Sequence, residues 1–142
     1  MFEDSMKKVP EEHRSARVLI VDDEETSSAL LARMLEQAGY AICITINDPT
    51  VAVNRIAQIN PDIILLDLHM EPLTGIDVLK HIRAEVPARQ RPPVLVLTAD
   101  ASTEARHEAL EAGATDFLSK PLDTLEVLLR IPYQPVPTEP RP

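Results

Sequence analysis

Five short apolar runs, each ending on a polar residue, restrict what this chain can fold into. They span residues 17–21, 41–46, 62–67, 93–98 and 115–119. The first reads Arg17-Val18-Leu19-Ile20-Val21 and stops at Asp22-Asp23; the third is Asp62-Ile63-Ile64-Leu65-Leu66-Asp67; the fourth is Pro93-Val94-Leu95-Val96-Leu97-Thr98. A strand with one solvated face alternates apolar and polar residues. These runs do not, so they read as strands buried on both faces. The segments that follow carry helix signals. Leu30, Leu31, Met34, Leu35 and Ala38 recur at helical spacing, and Gly39 closes the stretch. Asp48-Pro49 supplies a cap and a first-turn proline for a second helix, with Ala52, Ile56 and Ile59 as its apolar stripe and Pro61 as its stop. Ile76, Leu79, Ile82 and Val86 mark a third helix, and Ser102-Thr103-Glu104 caps a fourth whose inner face is mostly alanine (Ala105, Ala109, Ala112). A fifth runs from Leu122 to Ile131, with Leu125, Leu128 and Leu129 as its predicted core face.

Buried strands alternating with helices imply an α/β fold: a doubly wound, five-stranded parallel sheet of order 2-1-3-4-5 with helices on both faces, the flavodoxin-like arrangement. One domain, predicted over residues 17–131, suits a chain of 142 residues. Residues 1–16 are mixed in charge and poor in apolar side chains, and read as a flexible N-terminal segment. Prolines at 132, 135, 137, 140 and 142 make residues 132–142 an extended proline-rich tail.

Composition narrows the function. The net charge is 14 − 23 = −9, which argues against gripping a nucleic-acid backbone or an anionic membrane and suits a site that gathers cations. Three glycines leave little room for a glycine-rich nucleotide loop. A single cysteine, Cys43, rules out an internal disulfide and fits a reducing cytoplasm; it reads as an inert core thiol. The first residues are too polar for a secretory signal, and no apolar run is long enough to span a membrane.

In open parallel sheets, ligands bind beyond the carboxyl ends of the strands. At those ends stand Asp22-Asp23, Asp67, Thr98 and Lys120, while Asn47-Asp48 at the second strand reads as turn and cap chemistry. Each residue alone has a bland reading: an aspartate ending a strand is usually a helix cap, and a lysine before proline is usually solvated. Together at one edge they are a different matter. Three clustered carboxylates need a counter-charge, and an all-oxygen acidic cluster suits a hard divalent cation. A nearby lysine and threonine complement a phosphoryl group.

These same residues resemble the receiver domain of two-component response regulators. The matching elements are Val18–Asp23, Ile63–Met70, Gly75 eight residues after Asp67, Leu97–Ala99 and Gly113–Pro121, over roughly residues 17–131. The resemblance implies that Asp67 is the phosphoacceptor. It implies that Asp22, Asp23, Asp67 and the backbone carbonyl of His69 hold Mg²⁺, for which Mn²⁺ can substitute. Lys120 would pair with the phosphoryl oxygens, Thr98 would donate its hydroxyl to them, and Phe117 would be the aromatic switch that moves with Thr98. A cis Lys120–Pro121 bond would aim the lysine. The implied partner is a histidine kinase or a phosphotransfer protein, with a homodimer face on the fourth helix, fifth strand and fifth helix near Leu122, Leu125 and Val127. No direct nucleic-acid or membrane contact is implied, and no output domain is recognisable in this sequence.

Two departures stand out. The usual Met-Pro after the phosphoacceptor is here Met70-Glu71-Pro72, and the switch aromatic is phenylalanine rather than tyrosine. An aspartyl-phosphate phosphohydrolase would carry an Asp-x-Asp motif after the first strand, where this chain has Asp22-Asp23-Glu24. A receiver used only for docking would not need the full acidic, threonine and lysine set. His69 and Asp100 read as neighbours of the site that tune water access, and His81 and His107 as surface residues. Glu24 and Glu25 read as helix N-terminal charges.

Overall fold

The computed structural model describes residues 9 and 11–131. The proline-rich tail and the first eight residues of the N-terminal segment lie outside them. The strands are β1 (Arg17–Val21), β2 (Ile42–Ile46), β3 (Ile63–Leu66), β4 (Val94–Thr98) and β5 (Asp116–Ser119). All neighbours pair in parallel, in the order β2-β1-β3-β4-β5. The helices are α1 (Glu25–Ala38), α2 (Pro49–Ile59), α3 (Gly75–Glu85), α4 (Thr103–Ala112) and α5 (Thr124–Arg130). The doubly wound fold expected from the apolar runs is the fold observed.

Alternate residues of each strand serve opposite layers. Leu19 and Val21 pack with α2, α3 and α4, whereas Val18 and Ile20 pack with α1 and α5. Both faces are therefore covered, which is why the strands read as unbroken apolar runs rather than alternating ones. The caps are local chemistry. Asp48 accepts the Thr50 N–H at 2.9 Å, Thr74 and Asp77 form a reciprocal capping box, and Ser102 accepts the Ala105 N–H at 3.1 Å. Gly39 ends α1 at φ +120, a conformation that side chains resist.

Two expectations about helix faces are corrected. In α1 the buried face is Ser28, Leu31, Ala32, Leu35 and Ala38, while Leu30 is 64% exposed. In α5 only Val127 is buried, and Leu125 and Leu129 face outward, because a helix of 7 residues has room for little more than one inward position as it packs beside α1. Val127 is thus a core residue and cannot form part of a partner face. In the described part of the N-terminal segment, Val9 is buried, its N–H donates to Ala38 at 2.8 Å, and the Ala41 N–H donates to Arg14 at 2.9 Å. The alanine face of α4 is as expected, with Ala109 and Ala112 buried.

Tyr40 lies in the layer beneath α1, almost wholly buried, with no hydrogen-bond partner for its hydroxyl. A buried unpaired hydroxyl costs its desolvation, about 1–3 kcal/mol. Tyr40→Phe is therefore expected to leave stability at pH 7 unchanged or raise it by about 1 kcal/mol. Burial, then the neighbouring Cys43, pushes the phenol up to about 12. Because the folded value lies above the unfolded one near 10, this contribution to stability is complete below pH 10 and lost as pH rises toward 12. Burial, then Glu36, pushes the Cys43 thiol to about 11, which adds a fall of the same sign from pH 9. Chemical denaturation across pH 8–11.5 should give a shallower alkaline fall in Tyr40→Phe than in the wild type; parallel curves would refute this.

Candidate functional site

Register gathers the polar strand ends at one edge. Val21 pairs with Leu66, so Asp22 and Asp67 stand side by side one step further on, with the Asp67 N–H donating to Val21 at 3.1 Å. Thr98 pairs with Ser119, and Lys120 follows, its N–H donating to Thr98 at 2.8 Å. The fold thus brings together Asp22, Asp23, Asp67, Thr98 and Lys120.

The Lys120 ammonium has three acceptors: Asp22 Oδ2 at 3.2 Å, Ser27 Oγ at 3.4 Å and Asp67 Oδ2 at 3.5 Å. Asp22 is buried, its Oδ1 accepting the Glu24 N–H at 3.0 Å. Asp67 is half-buried and accepts the His69 N–H on Oδ1 at 3.3 Å. Burial, the largest influence, raises the Asp67 carboxyl; Lys120 pulls it down, Asp22 pushes it up, and the net position is above the usual range. Burial would lower the Lys120 ammonium, but Asp67 and then Asp22 outweigh it and the group lies above the ordinary lysine value. One ammonium therefore holds two carboxylates and does not fully compensate them.

One oxygen each from Asp22, Asp23 and Asp67 lie within 4.8 Å of one another, the only such cluster among the described residues. An all-carboxylate set with one exposed member fits a hard divalent ion that keeps part of its water shell. Asp23 also accepts the Glu71 N–H at 3.2 Å, so the loop after β3 is tied to the acidic pair. The peptide bonds Glu71–Pro72 and Lys120–Pro121 are both cis.

Around this centre, Thr98 is fully buried, its hydroxyl accepting the Asp100 N–H at 3.3 Å. Phe117 packs inward between the sheet and its helices. The exposed His69 side chain lies 3.4 Å from Asp100, whose carboxyl the Ser102 backbone N–H, above all, holds below the usual range. His107 is exposed and His81 partly so, away from the crevice. Gly75 begins α3 against the backbone of residues 67 and 68, its N–H donating to Leu68 at 2.8 Å.

Sequence reasoning passes over Ser27 and Ser28, and reads Asn47 only as turn and cap chemistry. Ser27 reaches Lys120, and Asn47 reaches both the Asp22 carbonyl and Ser28 at 2.8 Å. The available signal was Ser28, a small polar residue three positions before Leu31 on the buried face of α1.

Residues 18–131 match the family model described as the response regulator receiver domain. The chain is 36% identical over 116 residues to the sensory/regulatory protein RpfC of Xanthomonas campestris pv. campestris, covering 81% of this chain and 16% of that protein. It is 37% identical to the response regulator PleD of Caulobacter vibrioides, covering 82% and 25% respectively. The chain thus spans well under half the length of these curated relatives. Among solved structures, the chemotaxis protein CheY4 of Vibrio cholerae superposes with a TM-score of 0.77 at 29% identity, covering 85% of this chain and 99% of that one. The receiver domain of the Francisella response regulator 1452 gives 0.75 at 30% identity, covering 83% and 94%.

Proposed function

Because the chain belongs to the response regulator receiver family of two-component signalling, we propose that it is a phosphorylation-controlled switch whose phosphoacceptor is Asp67. The observation that carries this reading is the single ammonium of Lys120 shared between Asp22 and Asp67 within an acidic cluster. A histidine kinase or phosphotransfer protein presents a phosphohistidine. An Asp67 oxygen forms the new O–P bond as the N–P bond breaks, and the electron pair returns to the imidazole. Lys120 leaves its carboxylate partners to take up charge on the phosphoryl oxygens, and the Thr98 hydroxyl donates to one of them. Asp22, Asp23, Asp67 and the His69 carbonyl would hold Mg²⁺ or Mn²⁺, which when bound neutralises negative charge around the transferring group. Later hydrolysis of the acyl phosphate resets the switch, so the chain promotes its own modification and turns over no metabolite.

In this reading residues 17–131 form the receiver unit, acting in the cytoplasm without direct contact to nucleic acid or membrane. No helix among the described residues is long and apolar enough to cross a membrane. Movement of Thr98 releases its bond to Asp100 and opens space for Phe117, remodelling the face of α4, β5 and α5. Leu110, Leu125 and Leu129 are exposed large apolar residues on these elements and would offer a homodimer contact there.

The test is intact-mass analysis after incubation with acetyl phosphate. A gain of one phosphoryl group that requires Mg²⁺ is expected in the wild type and none in Asp67→Asn. Equal labelling of Asp67→Asn, or labelling indifferent to Mg²⁺, would overturn the assignment.

A further inference from the structure

The carbonyl of Asp22 is held from behind by a side chain. Where β1 and β2 stop pairing, the Asp22 N–H donates to Ile46 at 3.3 Å. A continuing ladder would supply the next donor to the Asp22 carbonyl from the chain just past Asn47, but Asp48 has already turned to cap α2. The Asn47 amide takes that place. Its Nδ2 donates to Asp22 O at 2.8 Å and to Ser28 Oγ at 2.8 Å. The Ser28 hydroxyl, 2% exposed, in turn donates a hydrogen bond to the Glu25 carbonyl at 3.1 Å. Both amide hydrogens thus meet oxygens, and a flipped amide would set its oxygen against the Asp22 carbonyl. The orientation is chemically determined.

The peptide so fixed joins Asp22 to Asp23, the two acidic residues at the end of β1. Rotating it would tilt one carboxylate and swing the other. We propose that Asn47, braced by Ser28, is a positioning residue that sets the Asp22–Asp23 peptide, and with it both carboxylates, for a divalent cation. The proposal rests on the reading of Asp22, Asp23 and Asp67 as a Mg²⁺ site. Groups that orient metal ligands without touching the metal commonly matter ten- to a hundredfold in affinity. Asn47 sits at the lower end, because it acts through backbone rather than through a ligand atom.

Calorimetric titration of the full chain with Mg²⁺ alone tests this. Asn47→Ala should raise the Mg²⁺ dissociation constant about tenfold. Ser28→Ala should raise it less, and the double variant little beyond Asn47→Ala, since Ser28 acts through the amide. Asp48→Ala is the control: it removes the neighbouring helix cap and loosens the same corner, yet should bind Mg²⁺ as the wild type does. With acetyl phosphate, Asn47→Ala should need more Mg²⁺ for half-maximal labelling while approaching the wild-type rate at saturation. If Asn47→Ala does not fold, Ser28→Ala carries the same comparison. Wild-type affinity in Asn47→Ala, or an equal loss in Asp48→Ala, overturns the proposal and leaves the metal site standing. Failure of the wild type to bind Mg²⁺ overturns both.

Discussion

Gly75→Ala is expected to destabilise the protein by about 3 kcal/mol and to impair labelling of Asp67 in the molecules that remain folded. A Cβ at this position would fall 2.8 Å from the Leu68 Cα and closer still to the Asp67 carbonyl oxygen. Both neighbours are backbone, so no side chain can swing aside. Two effects compete. Alanine is the better helix former by about 1 kcal/mol, and residue 75 starts α3. Overpacking against fixed backbone costs more, so destabilisation wins. For a domain of this size the melting temperature should fall by roughly 10 °C. Gly113→Ala provides the comparison: its φ of +118 strains any side chain, but its nearest neighbour is the Arg83 side chain at 3.4 Å. It should cost less and leave Asp67 reactive. A Gly75→Ala variant as stable as the wild type would mean that the loop after β3 yields easily.

Removal of Lys120 should have the largest effect on chemistry. Lys120→Ala takes away the one cation among the described residues within hydrogen-bond reach of Asp22 and Asp67, whose side chains are 8% and 14% exposed. Losing a positioned donor to a charged transition state typically costs a hundred- to a thousandfold, so acetyl phosphate labelling should slow by about 100-fold. The metal-free protein should also lose about 1–3 kcal/mol at pH 7, because two carboxylates are left uncompensated. The sign with pH follows from Asp67. Its folded pKa already lies above the usual value, so ionisation costs stability as pH rises through it. The deficit of Lys120→Ala should therefore shrink toward pH 4 and widen toward pH 7. Mg²⁺ should recover part of it at neutral pH. A deficit that is flat with pH would count against electrostatic compensation as the role of Lys120.

Much of this was legible because strand runs such as Ile63–Leu66 are short, apolar throughout and end on a charge. Such a run fixes burial on both faces, hence a parallel sheet, hence an edge where Asp22, Asp67, Thr98 and Lys120 meet. Helix faces were harder to read. Leu30, Leu125 and Leu129 fit an apolar periodicity, but periodicity alone does not say which of two adjacent stripes meets the sheet. In α1 the buried stripe runs through Ser28, and in α5 it narrows to Val127. In the sequence Asn47 reads as turn chemistry, because its role depends on where its amide points, which spacing does not encode. Val9 is one apolar residue among charges, and its burial needs the corner formed by Ala38 and Tyr40 to exist first.

The bond between Lys120 and Asp22 joins residues 98 apart in sequence, and that between Lys120 and Asp67 joins residues 53 apart. Closing a loop of the former length costs about 4 kcal/mol of chain entropy before any contact offsets it. Non-local closures of this kind slow folding. During synthesis, a chain that has not yet emitted β5 already carries all three aspartates but not the ammonium that holds two of them. The site therefore becomes complete only once the edge strand and the lysine after it are in place, and in the proposed reading a partly made or partly unravelled molecule stays silent to a phosphodonor.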